Sequence, residues 1–209
     1  MKNKKRNFDQ EAFSWDENPV RVKLGEDVAS AIRREITLIK NMDVLDYGCG
    51  TGLVTLRIQP FVNTVTGMDS SEGMLSVLNY KISRQKLTNV FTLHHDMETG
   101  EVLHDRFHLI VSSMTLHHIQ QPEILIKKLS KYLHIGGYLC IVDLEPDDGL
   151  FHGDNQGVFH FGFERSHVKA FFEKAGFQHI RDTVAAKVIR NVEEGGSREF
   201  SVFLVNGQK

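Results

Sequence analysis

The sequence predicts an α/β protein: a seven-stranded mixed sheet, mostly parallel, with helices on both faces and an antiparallel strand in a C-terminal hairpin. Three observations predict it. From Asn41 onward, short β-branched apolar runs alternate with segments whose apolar residues recur every three or four positions. The first such run ends in a glycine cluster, Asp46-Tyr47-Gly48-Cys49-Gly50-Thr51-Gly52. The chain closes with two strand-like runs joined around Gly195-Gly196, a hairpin signal.

Taken in order, the first twenty residues are polar apart from Phe8, Phe13 and Trp15. Asn18 then caps a helix with Pro19 in its first turn, and Val20, Leu24, Val28, Ala31, Ile32, Ile36 and Ile39 make one apolar stripe. Asp43–Tyr47 is the first strand and Leu53–Pro60 begins a helix. Thr64–Met68 is the second strand, followed by a helix over Ser70–Arg84 in which Met74, Leu75 and Leu78 face the core. Val90–His94 and Phe107–Ser112 are the third and fourth strands. Ile124–Leu133 reads as an amphipathic helix stopped by Gly136-Gly137, and Tyr138–Leu144 as the fifth strand. Glu164–Ala175 is a helix stopped by Gly176; Phe177–Arg190 and Glu199–Val205 complete the sheet. No repeat, low-complexity tract or linker divides the chain, so residues 1–209 are expected to form one domain.

Composition narrows the function. Across 209 residues, 41% hydrophobic and 25% charged content is that of a folded globular chain, and a formal net charge of −2 supplies no global positive field for nucleic acid or an anionic membrane. The basic run Lys2-Asn3-Lys4-Lys5-Arg6 is expected to be a solvated tail. Cys49 and Cys140 are too few for a disulfide framework or a structural zinc site and are read as buried thiols. No apolar stretch approaches the ~18–20 residues that cross a bilayer, and the polar start does not resemble a secretory signal, so a cytoplasmic protein is expected.

In open α/β sheets ligands sit beyond the carboxyl ends of the strands, and here those ends hold unusual residues. Glycines at alternate positions 48, 50 and 52 let the backbone turn sharply and pass close to a ligand. A dinucleotide fingerprint would need a glycine at 53, which is Leu53, and no Tyr-x-x-x-Lys is present; both weigh against a nicotinamide oxidoreductase. The second strand runs into Asp69, whose carboxylate can accept from two ribose hydroxyls at once; Ser70 or Ser71 would cap the next helix. The third strand runs into His94-His95-Asp96-Met97, and the fourth into Ser112-Ser113-Met114-Thr115-Leu116-His117-His118.

Val44–Gly52 resembles the first motif of the class I, Rossmann-like S-adenosylmethionine-dependent methyltransferases. The resemblance covers roughly residues 40 to 145 by motif and the rest by element order. It implies that the Gly48–Gly52 loop, with Cys49, wraps the methionine part of S-adenosylmethionine while Asp46 holds its ammonium. It further implies that Asp69 and Ser70 hold the ribose, and that Asp96 and Met97 border the adenine. Met74 and Ser112 fall within reach of the same cofactor. The fourth-strand segment lacks the acidic or Asn residue followed by Pro-Pro and an aromatic that marks methylation of base or amide nitrogen. It is similar instead to the small-molecule branch, which acts on quinones, sterols and natural products. The expected partner is therefore a small-molecule acceptor, with nucleic acid and membrane disfavoured and oligomeric state left open. A non-catalytic S-adenosylmethionine-binding protein is the alternative on the same fold.

His117 and His118 are the candidate general bases, since imidazole titrates near neutrality, although an adjacent pair points in different directions. Neither an HxH spacing nor a carboxylate pattern accompanies them, so no metal site is expected. Residues 1–19 form a tail and candidate lid: Phe8-Asp9, Ala12 and Trp15-Asp16 resemble the opening of related methyltransferases. Residues 145–163, with His152, Asp154, Phe159, His160, Phe161 and Phe163, form a candidate cover over the active-site mouth.

Overall fold

A computed structural model describes residues 6–96, 105–191 and 196–209. Met97 and the Gly195 half of the hairpin turn lie outside these residues, as does the basic run up to Lys5. The elements follow in order as α1 (Phe8–Glu11), a 3-10 turn (Ala12–Glu17), α2 (Pro19–Glu35), β1 (Asp43–Tyr47), α3 (Thr55–Ile58), β2 (Thr64–Asp69) and α4 (Glu72–Gln85). Then come β3 (Val90–His94), β4 (Phe107–Ser113), a 3-10 turn (Leu116–His118), α5 (Pro122–Lys131), β5 (Leu133–Leu144), α6 (Arg165–Lys174), β6 (Gln178–Asn191) and β7 (Ser197–Gln208).

The seven strands lie in the order β3-β2-β1-β4-β5-β7-β6. Strands β1 to β5 pair in parallel, and β7 is antiparallel to both of its neighbours. The order reverses between β1 and β4, which opens the crevice where ligands bind in this architecture. Alternation along the strands splits the core. Val44, Leu109 and Val142 join Val28, Ile32 and Ile58 from α2 and α3 on one face. Leu45, Ile110 and Ile141 join Ile126, Leu129 and Phe172 from α5 and α6 on the other.

Local chemistry explains most boundaries. The Asn18 side chain accepts from the Val20 N–H at 2.9 Å and Pro19 opens α2, as expected. The helix ends at Glu35, so Ile36 enters the core from an extended residue while Ile39 is left exposed. Ser71 caps α4 by accepting from the Met74 N–H, so the helix starts at Glu72. One boundary differs more. Gly136 and Gly137 do not end a helix; α5 stops at Lys131 and both glycines lie inside β5, where the pairing to β4 shifts register between Phe107 and Leu109. A Cβ on Gly137 would stand 3.1 Å from the His108 carbonyl, so this glycine permits close strand approach.

Candidate active site

The carboxyl ends of β1, β2, β3 and β4 surround one cavity of about 920 Å³. Asp46, Gly48, Cys49, Gly50, Asp69, Ser70, Met74 and Asp96 line it, as do His117 and His118. Gly52 and Ser112 are not in the lining. The Ser112 hydroxyl is buried beneath the floor without a hydrogen-bond partner, and Ser113, Met114 and Thr115 face the space instead. Met114 takes a left-handed conformation (φ 55°), which turns the chain sharply at the end of β4.

The three glycines do different work. A Cβ on Gly48 would lie 2.2 Å from Thr115 Oγ1, and one on Gly52 would lie 2.4 Å from Leu78 Cδ1, so these two permit packing. A Cβ on Gly50 would meet only Met74 Sδ, at 3.9 Å, and would project into the cavity. All three have positive φ. The turn is pinned to the next strand, because the Gly48 and Cys49 N–H groups both donate to the Met68 carbonyl.

Two carboxylates flank that turn. Asp46 is buried, and its Oδ2 accepts from Thr55 Oγ1 at 2.5 Å. Burial pushes its pKa up to about 6; the Thr55 hydrogen bond opposes the shift and the nearby Asp69 charge adds to it. Asp69 Oδ2 accepts from the Gly50 N–H at 2.8 Å and Oδ1 from the Ser71 N–H at 2.9 Å. The Ser70 N–H bonds it as well, so of the roughly four acceptor positions of a carboxylate about one remains for a ligand. Burial raises the Asp69 pKa against these hydrogen bonds. Cys49 and Cys140 are buried free thiols, both raised by burial.

The N-terminal segment crosses this mouth. Arg6 is no part of a solvated tail: it forms a two-point ion pair with Glu11 and borders the cavity. Asp9 Oδ1 accepts from Ser71 Oγ at 2.6 Å and from the Gly73 N–H at 2.8 Å. Asp16 accepts from Thr51 Oγ1 and pairs with Lys81. Phe8 sits edge-on to both Trp15 and His118, whereas Phe13 is 81% exposed.

The far wall is built from distant segments. His117 is buried, with Nδ1 2.7 Å from Asp143 Oδ1 on β5. Burial would raise the Asp143 pKa, but the imidazole beside it and the hydrogen bond between them hold it below the usual range. His118 Nδ1 lies 2.8 Å from the Gly157 carbonyl, and His152 Nε2 lies 3.2 Å from His117 Nε2. Burial, with the His117 ring adding to it, lowers His118 to about 4 and His152 to about 3. Of the aromatic and polar residues expected to cover the mouth, only His152 lines the cavity, joined by Phe151. Phe163 is core, Phe161 is exposed, His160 bonds the Ile119 carbonyl, and Asp154 accepts from the Gln156 N–H. Arg21 stacks on Trp15 and Arg190 on Phe151; burial lowers both guanidinium pKa values, and the Arg6 charge adds to the shift. Asp143, Phe151, Arg21 and Arg190 carried no sequence signal, since each is marked only by what it meets in three dimensions.

This crevice, with a cavity-facing glycine between a buried and a half-buried carboxylate at the switch point, defines the class: the S-adenosylmethionine-dependent class I methyltransferase fold. Residues 21–183 match the family model described as a methyltransferase domain, and the chain belongs to that family. An uncharacterised methyltransferase of Schizosaccharomyces pombe is 30% identical over 166 residues, covering 72% of this chain and 58% of that protein. The ubiquinone biosynthesis O-methyltransferase of Coxiella burnetii is 34% identical over 122 residues, covering 58% of this chain and 48% of the relative. The chain thus spans about half the length of these curated relatives. Among solved structures, an S-adenosylmethionine-dependent methyltransferase from Aquifex aeolicus superposes with a TM-score of 0.67 at 22% identity, covering 95% of this chain and 97% of that one. The magnesium protoporphyrin IX methyltransferase of Synechocystis superposes with a TM-score of 0.65 at 15% identity, covering 91% and 83%. Both share the fold. Among the described residues no helix is long and apolar enough to cross a membrane.

Proposed function

We propose that this chain binds S-adenosylmethionine against the glycine turn and transfers its methyl group to a small acceptor bearing an anionic group. The observation that carries the reading is the pairing of Gly50, whose missing side chain leaves room in the cavity, with the buried carboxylate Asp46 and the half-buried carboxylate Asp69 on either side. The cofactor supplies an activated methyl on a sulfonium, so the protein's work is alignment and exclusion of water. Asp46 takes the ammonium, and a cation there would offset its burial. Gly48, Cys49 and Gly50 run along the amino-acid portion. Asp69, already oriented by two backbone N–H groups, accepts from the ribose with Ser70 beside it. Met74 and Asp96 border the base. Gly52 and Ser112 act from behind, keeping the turn and the floor in shape.

The acceptor occupies the side bounded by Met114, Thr115, His117 and Phe151. Arg6, Arg21 and Arg190 border it, the first two paired with Glu11, which favours an anionic acceptor. Residues 6–17 form the lid. The protein should be titrated with S-adenosylhomocysteine by calorimetry, then incubated with S-adenosylmethionine and metabolites grouped by charge while methylated products are followed by mass spectrometry. One-site binding and methylation confined to anionic compounds are expected. Failure to bind S-adenosylhomocysteine would refute the reading.

A further inference from the structure

The acceptor side of the cavity gathers three imidazoles from two segments. His117 and His118 follow β4, and His152 arrives from the loop after β5. One ring nitrogen of each lies within 4.8 Å of those of the other two. Hydrogen bonds at the far edge of two rings decide which nitrogen each presents. The Asp143 carboxylate can only accept, so a neutral His117 carries its proton on Nδ1 and presents a lone pair at Nε2. The Gly157 carbonyl also can only accept, so His118 likewise presents Nε2. His152 Nε2 stands 3.2 Å from that of His117. Converging lone pairs repel unless something electropositive lies between them, and one proton on His152 Nε2 can satisfy only one of its neighbours.

We propose that His117, His118 and His152 bind one divalent transition-metal ion of the zinc class, with the fourth coordination position open to the cavity. Four features support this. A tetrahedral ion with metal–nitrogen bonds of about 2.0–2.1 Å spaces its ligand nitrogens by about 3.3 Å, close to the His117–His152 separation, and His118 needs a shift on the order of 1 Å. The carboxylate behind His117 and the carbonyl behind His118 are the outer partners that orient metal-bound histidines. An all-imidazole set selects zinc, cobalt, nickel, copper or iron over magnesium and calcium. Arg6 and Arg190 act electrostatically on His152, and among the described residues Asp143 is the carboxylate hydrogen-bonded to the trio, so the open position favours an anionic donor. The sequence carried no such signal because 35 residues separate His117 from His152.

Metal uptake does not depend on the methyl-transfer reading; its role does. An acceptor hydroxyl or thiol coordinated at the open position loses its proton to solvent more readily. Its lone pair then forms the bond to the methyl carbon, and the carbon–sulfur bond breaks with its electron pair passing to sulfur.

The test uses the full-length protein, stripped with chelator and titrated with Co²⁺. Uptake of one equivalent, with the visible absorption of tetrahedral cobalt and displacement by Zn²⁺, is expected. His152→Ala, judged folded by circular dichroism and thermal unfolding, should bind Co²⁺ at least ~100-fold more weakly. His152→Cys should restore uptake and add a sulfur-to-cobalt charge-transfer band absent from the wild type. No stoichiometric uptake by the wild type, equal affinity in His152→Ala, or His152→Cys without that band overturns the proposal. Calorimetry with S-adenosylhomocysteine on the metal-free protein is read separately: its failure would strike the cofactor site and leave the metal site standing.

Discussion

The two walls of the cavity are assembled in opposite ways. The wall at β1 and β2 comes from short stretches of chain: a turn of alternate glycines, one carboxylate just before it and another at the next strand end. The opposite wall joins Arg6, His117, Asp143, His152 and Arg190, none adjacent in sequence and each held by a partner from another element. The first wall is fixed by backbone geometry, the second by tertiary packing. A chain can therefore keep the first while its acceptor side drifts.

The largest expected effect falls on the turn. Gly50→Val places a branched side chain into the cavity from a left-handed backbone, and S-adenosylhomocysteine affinity should fall at least ~100-fold by calorimetry. Unchanged affinity would remove the turn from the site. Next, Asp69→Ala deletes two charge-assisted acceptors and frees the Gly50 N–H, and should cost ~10- to 100-fold in the same titration.

Asp46 should separate stability from binding. Its pKa of about 6 in the folded chain lies above the ordinary 3.8, so the folded state holds more protons between those values. Stability contributed by the neutral form is present below pH ~4 and is lost as pH rises through ~6. Asp46→Asn should then raise stability at neutral pH by about 2–3 kcal/mol while weakening the ligand's ammonium contact, two changes of opposite sign read by thermal unfolding and calorimetry. Wild-type affinity for S-adenosylhomocysteine should likewise decline below pH ~6; a flat profile from pH 5 to 8 would show that this carboxylate is not the ammonium partner. The smallest effect belongs to the lid. Asp9→Ala removes the acceptor shared by Ser71 and Gly73, so amide exchange over residues 6–17 should quicken while affinity falls only a few-fold.

The seven strands with their closing antiparallel hairpin, and the glycine wall, were legible because each rests on a local rule: period-two alternation, a glycine hairpin turn, alternate glycines, and carboxylates at strand ends. The Gly136-Gly137 pair misled for the same reason. Two glycines after an amphipathic run read as a helix stop, but their use is the close approach of β5 to β4, which only the paired strand reveals. His117 and His118 were visible as a pair, yet their tautomers depend on Asp143 and Gly157, and their neighbour His152 on how the loop after β5 folds back. Phe13 and Phe161 show the reverse: aromatic residues in promising loops that the fold leaves facing outward.

Asp9 and Asp16 tie residues 6–17 to Ser71 and Thr51 on the rim of the crevice and to Gly73 and Lys81 beside them. On the proposed reading, residues 6–17 are a latch, and ligand exchange through that rim must wait for it to spring. Dwell time would then be governed by the fraying of one four-residue helix and its few surface bonds, and a substitution that loosens those bonds would alter how fast the protein turns over before it altered what the protein recognises.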